Sequence, residues 1–240
     1  MIKDTVKKIL NSLGFDVRKY NPQASESSRL NHFFTYYNVD LVLDVGANVG
    51  QYAKFIRKIG YSGKIVSFEP LSSAYSQLQL ISSKDPCWEI APRAAIGSYE
   101  GDITINISAN SQSSSVLDIL ESHLNAAPES RYCDTETVRL TKLDTIAQQY
   151  ITQGTKSAFL KIDVQGFEKQ VIEGASQILS TIHGIQIELS LVPLYQGQLI
   201  FSEMLKFMEE IGYELHAVIP GFTDLKTGRL LQMDGIFFRK

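Results

Sequence analysis

The stretch LVLDVGANVGQY, residues 41–52, decides how the rest of the chain is read. Residues 41–45 form a short apolar run closed by Gly46, which reads as a buried strand rather than a helix. Gly46 and Gly50 allow a tight turn out of that strand, and a helical pattern over residues 49–59 follows at once. Asp44 sets a carboxylate just below the turn, while the start of the helix offers free N–H groups to an anion. A dinucleotide-binding turn needs glycine at three spaced positions; Asn48 and Gln51 stand at the second and third, which disfavours a pyrophosphate.

Outward from this turn, residues 64–68 are a second strand ending at Glu69 and Pro70, so the region is a strand–helix–strand unit. Glu69 lies at the spacing and strand end where an acid accepts hydrogen bonds from both hydroxyls of a ribose. Turn and acid together describe a site for a single nucleoside with a small charged tail, of which S-adenosylmethionine is an example.

Strands and helices keep alternating. A helix over 71–82 leads to an extended stretch at 88–96, and residues 102–107 alternate polar with apolar as a half-buried strand does. Residues 108–115 (SANSQSSS) are a serine and asparagine loop. Residues 116–137 read as a long loop with one helical turn, a length that is often functional. Further strands are predicted at 138–140, 158–164, 185–189, 213–219 and 235–239, with helices over 142–150, 167–179 and 201–210. The fold class is therefore α/β, a Rossmann-like doubly wound sheet, mostly parallel, with helices on both faces. The last two strands have no helix between them and are expected to pair as an antiparallel hairpin.

At the other end, Ile2, Val6, Ile9, Leu10 and Leu13 fall at helical spacing with Lys3, Lys7 and Lys8 away from that stripe. The stripe is expected to dock on the domain; an anionic membrane surface is its other partner by composition, giving residues 1–13 a peripheral membrane contact. Residues 21–29 (NPQASESSR) have a linker composition, so residues 1–29 are expected to be helix and linker and residues 30–240 the folded domain.

With 240 residues, 44% hydrophobic and 20% charged, the chain can bury one sizeable core. A net charge of -3 gives no electrostatic reason to expect nucleic acid as a partner. Cys87 and Cys133 lack the spacing of a zinc or redox site, and no apolar run approaches the roughly 18 residues of a membrane span. A cytoplasmic or membrane-peripheral protein is expected.

The runs DVGANVGQY at 44–52, FEP at 68–70, AAIG at 94–97, LKIDVQGFEKQVIEGA at 160–175, IQIELS at 185–190 and DGIFF at 234–238 resemble the FkbM family of methyltransferases over about residues 40–240. KIDVQGFE is the most specific part. The resemblance implies a class I methyltransferase fold, a seven-stranded sheet with its last strand inserted antiparallel, and methyl transfer from S-adenosylmethionine, mostly to hydroxyl oxygens of sugars, glycans or natural products. Carried over, Asp44, Gly46, Ala47, Asn48 and Gly50 would surround the methionine part of the cofactor and Glu69 its ribose, with Tyr52 a further candidate for cofactor binding. Ala94 and Ala95 would face the adenine, and Asp163 would lie beside the transferable methyl. In the expected acceptor loop only the serine cluster at 113–115 aligns, making Ser113 and Ser114 candidates for substrate binding.

A hydroxyl acceptor must lose its proton, and Asp163, at the end of an apolar strand, is the candidate general base. Its structural alternative is to cap the next helix near Gly166. Glu188 and Asp234, each at a strand terminus, are candidates to bind acceptor hydroxyls. Three carboxylates could hold a divalent cation, but without a closer ligand cluster no metal is assigned. His183 and His216 read as structural, and His32 and His123 have no visible partner. Two other classes share this sheet: a nucleotide-dependent oxidoreductase or epimerase acting on sugars, which needs a tighter glycine turn, and a non-catalytic binding module, which would tolerate a damaged one.

Overall fold

A computed structural model describes residues 2–15 and 20–240. Two helices, α1 (Ile2–Ser12) and α2 (Glu26–Tyr36), precede the sheet. Val6, Ile9 and Leu13 of the apolar stripe are exposed, so the domain does not cover α1 as expected. α2 begins inside the expected linker: the Ser25 side chain accepts a hydrogen bond from the Ser28 N–H as an N-cap, and Leu30 and Phe34 are buried.

β1 (Leu41–Val45) is buried along its whole length, as a central parallel strand covered on both faces must be. After it come α3 (Gln51–Lys58), β2 (Lys64–Phe68), α4 (Ser72–Ser82), β3 (Trp88–Ile90), β4 (Ala95–Ile96) and β5 (Gly101–Ser108). The second half comprises α5 (Glu121–Ala126), β6 (Tyr132–Thr141), α6 (Leu143–Ile146), β7 (Ala158–Ile162), α7 (Glu168–Glu173), β8 (Ile182–Ser190), α8 (Phe201–Glu210), β9 (Tyr213–Pro220) and β10 (Gln232–Arg239). The main sheet has seven strands in the order β3-β2-β1-β7-β8-β10-β9. β10 is inserted antiparallel between β8 and β9, and the pairings on the other side of β8 are parallel. Strand order reverses between β1 and β7, which fixes where a ligand crevice belongs.

Period-two alternation gives the sheet two cores. Leu41, Leu43 and Val45 face a cluster with Leu160, Ile162, Ile172 and Met204, covered by α6, α7 and α8. Val42 and Phe159 face the opposite cluster with Leu30, Phe34, Ala53 and Ile56, covered by α2 and α3. On this second face a buried polar row crosses four adjacent strands in register: Ser67 beside Asp44, Asp44 beside Lys161, Lys161 beside Gln186.

The extended stretch at 88–96 splits into β3 and β4, which serve different sheets. β4, β6 and β5 form a three-stranded sheet of their own. The expected long loop at 116–137 is a correction: it contains α5, a short 3-10 turn at Pro128–Ser130 and the first half of β6. That half, YCDTET, is largely exposed and is held by backbone pairing to β5 rather than by an apolar face, so its side-chain pattern carries no strand signal.

Candidate active site

The turn after β1 is built on left-handed backbone. Gly46, Asn48 and Gly50 have φ of 81°, 47° and 79°. A Cβ on Gly46 would lie 1.9 Å from the Asp163 carbonyl oxygen, so glycine here lets the turns after β1 and β7 touch. A Cβ on Gly50 would meet the Trp88 ring at 2.5 Å. Gly50 therefore serves the turn and the packing of α3 on β3, and it is not among the residues that line the cavity.

These turns open onto a cavity of about 260 Å³ at the carboxyl ends of β1, β2, β7 and β8. At one end stands Glu69, buried, with Oε2 accepting from the Asn48 N–H at 2.8 Å and Oε1 from the Leu71 N–H at 2.8 Å. Each oxygen keeps a second lone pair, so the carboxylate is fixed yet able to accept from a diol. Burial pushes the Glu69 carboxyl up to about 7 against those two backbone bonds. Leu71, Ala94, Ala95, Ile96 and Ile105 give the cavity an apolar wall, two of its residues coming from β4.

Asp44 forms part of the floor. It accepts from Ser67 Oγ at 3.0 Å, and Ser67 in turn accepts from the Trp88 indole N–H at 3.0 Å. Burial raises its carboxyl to about 7, opposed by the Ser67 hydrogen bond and by Lys161. Tyr52 of α3 also lines the cavity, its hydroxyl donating to Gln186 Oε1 at 3.0 Å.

At the far end one amide joins two acids. Gln165 Nε2 donates to Asp163 Oδ1 at 2.8 Å and to Glu188 Oε2 at 2.6 Å, while its Oε1 accepts from the Tyr195 hydroxyl at 2.7 Å. Gln165 reaches this position at φ 54°, a conformation that costs a non-glycine residue energy and that clusters at functional sites. Burial, then the neighbouring Asp163 charge, holds Glu188 well above the usual carboxylate range. Asp163 does not cap the following helix: the Gly166 N–H donates to Glu168 Oε1 at 3.0 Å instead. Its side chain is 39% exposed, so it meets solvent and the cavity together.

Lys161 lies beneath this trio, its side chain 5% exposed, with Nζ 3.2 Å from Asp234 Oδ1 and 3.8 Å from Asp163 Oδ2. Burial alone would lower its proton affinity, but Asp234, Asp163 and Glu188 outweigh that and hold it above the usual lysine range. The cation among the three carboxylates is thus an ammonium. Among the described residues no group of three His, Cys, Asp or Glu is arranged to hold a metal ion.

A strap crosses the cavity. Asn48 Nδ2 donates to the Ser111 carbonyl at 3.4 Å and Ser115 Oγ donates to the Gln165 carbonyl at 2.6 Å, tying residues 108–115 to both turns. Ser114 lines the cavity with Ser111, Gln112 and Ser115.

Of the residues singled out in the sequence, Asp44, Gly46, Ala47, Asn48, Tyr52 and Glu69 surround the cavity, as do Ala94, Ala95, Asp163, Ser114 and Glu188. Two acceptor candidates fall outside it. Ser113 turns into a buried network with Ser130 Oγ at 2.9 Å and the Asn110 amide, and Asp234 sits behind the cavity wall, held by Lys161 and by Gln186 at 2.8 Å. The sequence reading missed Lys161 and Gln165. Strand alternation from Asp163 would have placed Lys161 on its face, whereas only a left-handed turn brings Gln165 in. His123, without a visible partner in the sequence, bonds Ser130 Oγ at 3.1 Å and packs on Tyr195 and Phe222.

A family model described as methyltransferase FkbM domain matches residues 44–215. No curated protein matches the chain. Among solved structures, methyltransferase FkbM from Methylobacillus flagellatus KT is 14% identical, with a TM-score of 0.49 over 84% of this chain and 44% of that one. An rRNA methylase from Streptococcus thermophilus is 10% identical, with a TM-score of 0.45 over 90% and 96%. TehB from Haemophilus influenzae is 9% identical, with a TM-score of 0.46 over 88% and 62%. The chain spans less than half the length of the first of these. With overlaps this loose, the sequence model alone carries the assignment.

Proposed function

We propose, from the premise that the chain belongs to the methyltransferase FkbM family, that this S-adenosylmethionine-dependent methyltransferase acts on a hydroxyl oxygen of a sugar, a glycan or a related natural product. The cavity chemistry fits the cofactor: a fixed carboxylate for a diol, an apolar wall for a flat ring, and carboxylates at the opposite end for a cationic centre. Glu69, Leu71, Ala94 and Ala95 would hold its nucleoside, and Asp44 with the turn at 46–48 its amino-acid part. When bound, the cofactor supplies a sulfonium methyl, an activated electrophile.

The observation that carries the choice of oxygen is the single Gln165 amide joining Asp163 to Glu188 at the end of the cavity. A hydroxyl is a weak nucleophile until a base relieves it of its proton, a contribution of about 10² to 10⁴ in rate. Gln165 occupies Asp163 Oδ1, leaving Oδ2, 3.8 Å from Lys161 Nζ, as the oxygen that would take the proton of the acceptor hydroxyl. Glu188, its proton affinity raised by burial and by the neighbouring Asp163 charge, would bond a second hydroxyl of the acceptor. Ser111, Gln112 and Ser114 add hydroxyl and amide groups at the rim, suited to a ligand rich in hydroxyls. Holding the acceptor in line contributes up to roughly 7 to 11 kcal/mol in ideal cases.

A cytoplasmic location belongs to the same reading, supported by two exposed, unpaired cysteines, Cys87 and Cys133, which suit a reducing compartment. No helix among the described residues is long and apolar enough to cross a membrane. Incubation with methyl-labelled S-adenosylmethionine and a glycan and lipid extract tests the reaction. Label on a sugar oxygen is expected; label found only on nitrogen or carbon, or on nucleic acid, would overturn the choice of acceptor.

A further inference from the structure

Among the described residues, eleven large hydrophobic side chains are exposed, and five of them, Val6, Ile9, Leu13, Phe15 and Tyr20, fall in the first twenty positions. Val6 and Ile9 lie on one stripe of α1 with the half-buried Leu10, and Leu13 follows in the turn that ends the helix, at spacings of three and four residues. Charge is segregated in the same way. The first twenty residues contain five basic and two acidic side chains, while the chain as a whole has 23 basic and 26 acidic. By helical spacing Lys7 borders the stripe and Lys8 lies behind it, both exposed.

We infer that α1 docks on an anionic phospholipid surface, its stripe entering the boundary between headgroups and acyl chains and its lysines meeting lipid phosphates. This arrangement is that of a helix lying in the plane of a membrane interface. The domain leaves the stripe uncovered, and pairing two copies along it would bring their bordering lysines together at a cost. An apolar stripe bordered by Lys7, in a segment of net positive charge, matches a surface that is apolar within and negative at its rim.

Docking of α1 would bring the domain that follows it, and with it the cavity, close to acceptors displayed on the bilayer.

Flotation of the full chain with vesicles of phosphatidylcholine alone, and of phosphatidylcholine with phosphatidylglycerol, tests this. At least about tenfold more protein should float with the anionic vesicles, and added salt should reduce it. Ile9→Glu should abolish flotation, and Lys7→Glu with Lys8→Glu should lower it about tenfold, with the thermal shift produced by S-adenosylmethionine unchanged in both. Equal or absent flotation with the two vesicle types, flotation indifferent to Ile9→Glu, or a dimer in sedimentation that Ile9→Glu dissolves would overturn the proposal. Loss of the cofactor shift in the unaltered protein would count against methyl transfer and leave the membrane result standing on its own.

Discussion

Lys161, within β7, and Asp163, just beyond its end, have opposite duties. Asp163 is partly exposed and lines the cavity, so Asp163→Asn should cut turnover by about 10² to 10⁴ while moving cofactor affinity far less, a split read from kcat against a binding titration. Lys161 is buried and balances Asp234, Asp163 and Glu188. Lys161→Met should cost about 3–5 kcal/mol in urea unfolding, because buried carboxylates lose their counter-charge. The sequence disclosed Asp44, Glu69 and Asp163 because each closes an apolar strand at a position with a chemical rationale. It did not disclose Gln165, since nothing in the letter Q announces φ 54°, and it drew in Asp234, which meets the site only through Lys161.

Turns and strands carry the site as much as side chains do. Gly46→Ala should destabilise the chain by at least about 3 kcal/mol: it places a side chain in left-handed backbone and pushes a Cβ into the Asp163 carbonyl. Any Gly46→Ala protein that folds should show weakened cofactor binding by calorimetry, since the two turns move apart. The central strands of the main sheet were legible because burial on both faces leaves apolar runs, as in AFLKI of β7. α6 shrank to Leu143–Ile146 and the helix over 167–179 to Glu168–Glu173, both shorter than their apolar spacing suggested. Asp144 explains part of this: its carboxylate accepts from the Gln177 and Ile178 N–H groups, fastening the chain after α7 in a non-helical path.

Four buried carboxylates, Asp44, Glu69, Glu168 and Glu188, have their proton affinity raised chiefly by burial. The folded chain then binds more protons than the unfolded one between the ordinary carboxylate range and about 7, so stability is greatest below that window and is lost as pH rises through it. His123, lowered to about 4 by burial, works in the opposite sense but is one group against four. The melting temperature of the cofactor-free chain should therefore fall between about pH 5 and pH 7.5, a loss on the order of a few kcal/mol; a rising curve over that interval would refute it. Cofactor affinity should climb over the same interval as Glu69 ionises to accept the ribose hydroxyls, and thermal shifts with S-adenosylmethionine at each pH will show whether it does. The row of Ser67, Asp44, Lys161 and Gln186 has a further consequence, for how the chain finds its shape. A slip of one residue in any of these four strands would turn its polar member into the all-apolar core on the other side, stranding an unpaired group there. The row acts as a key that only one alignment of the strands fits, so the polar floor of the cavity also proofreads the sheet as it forms.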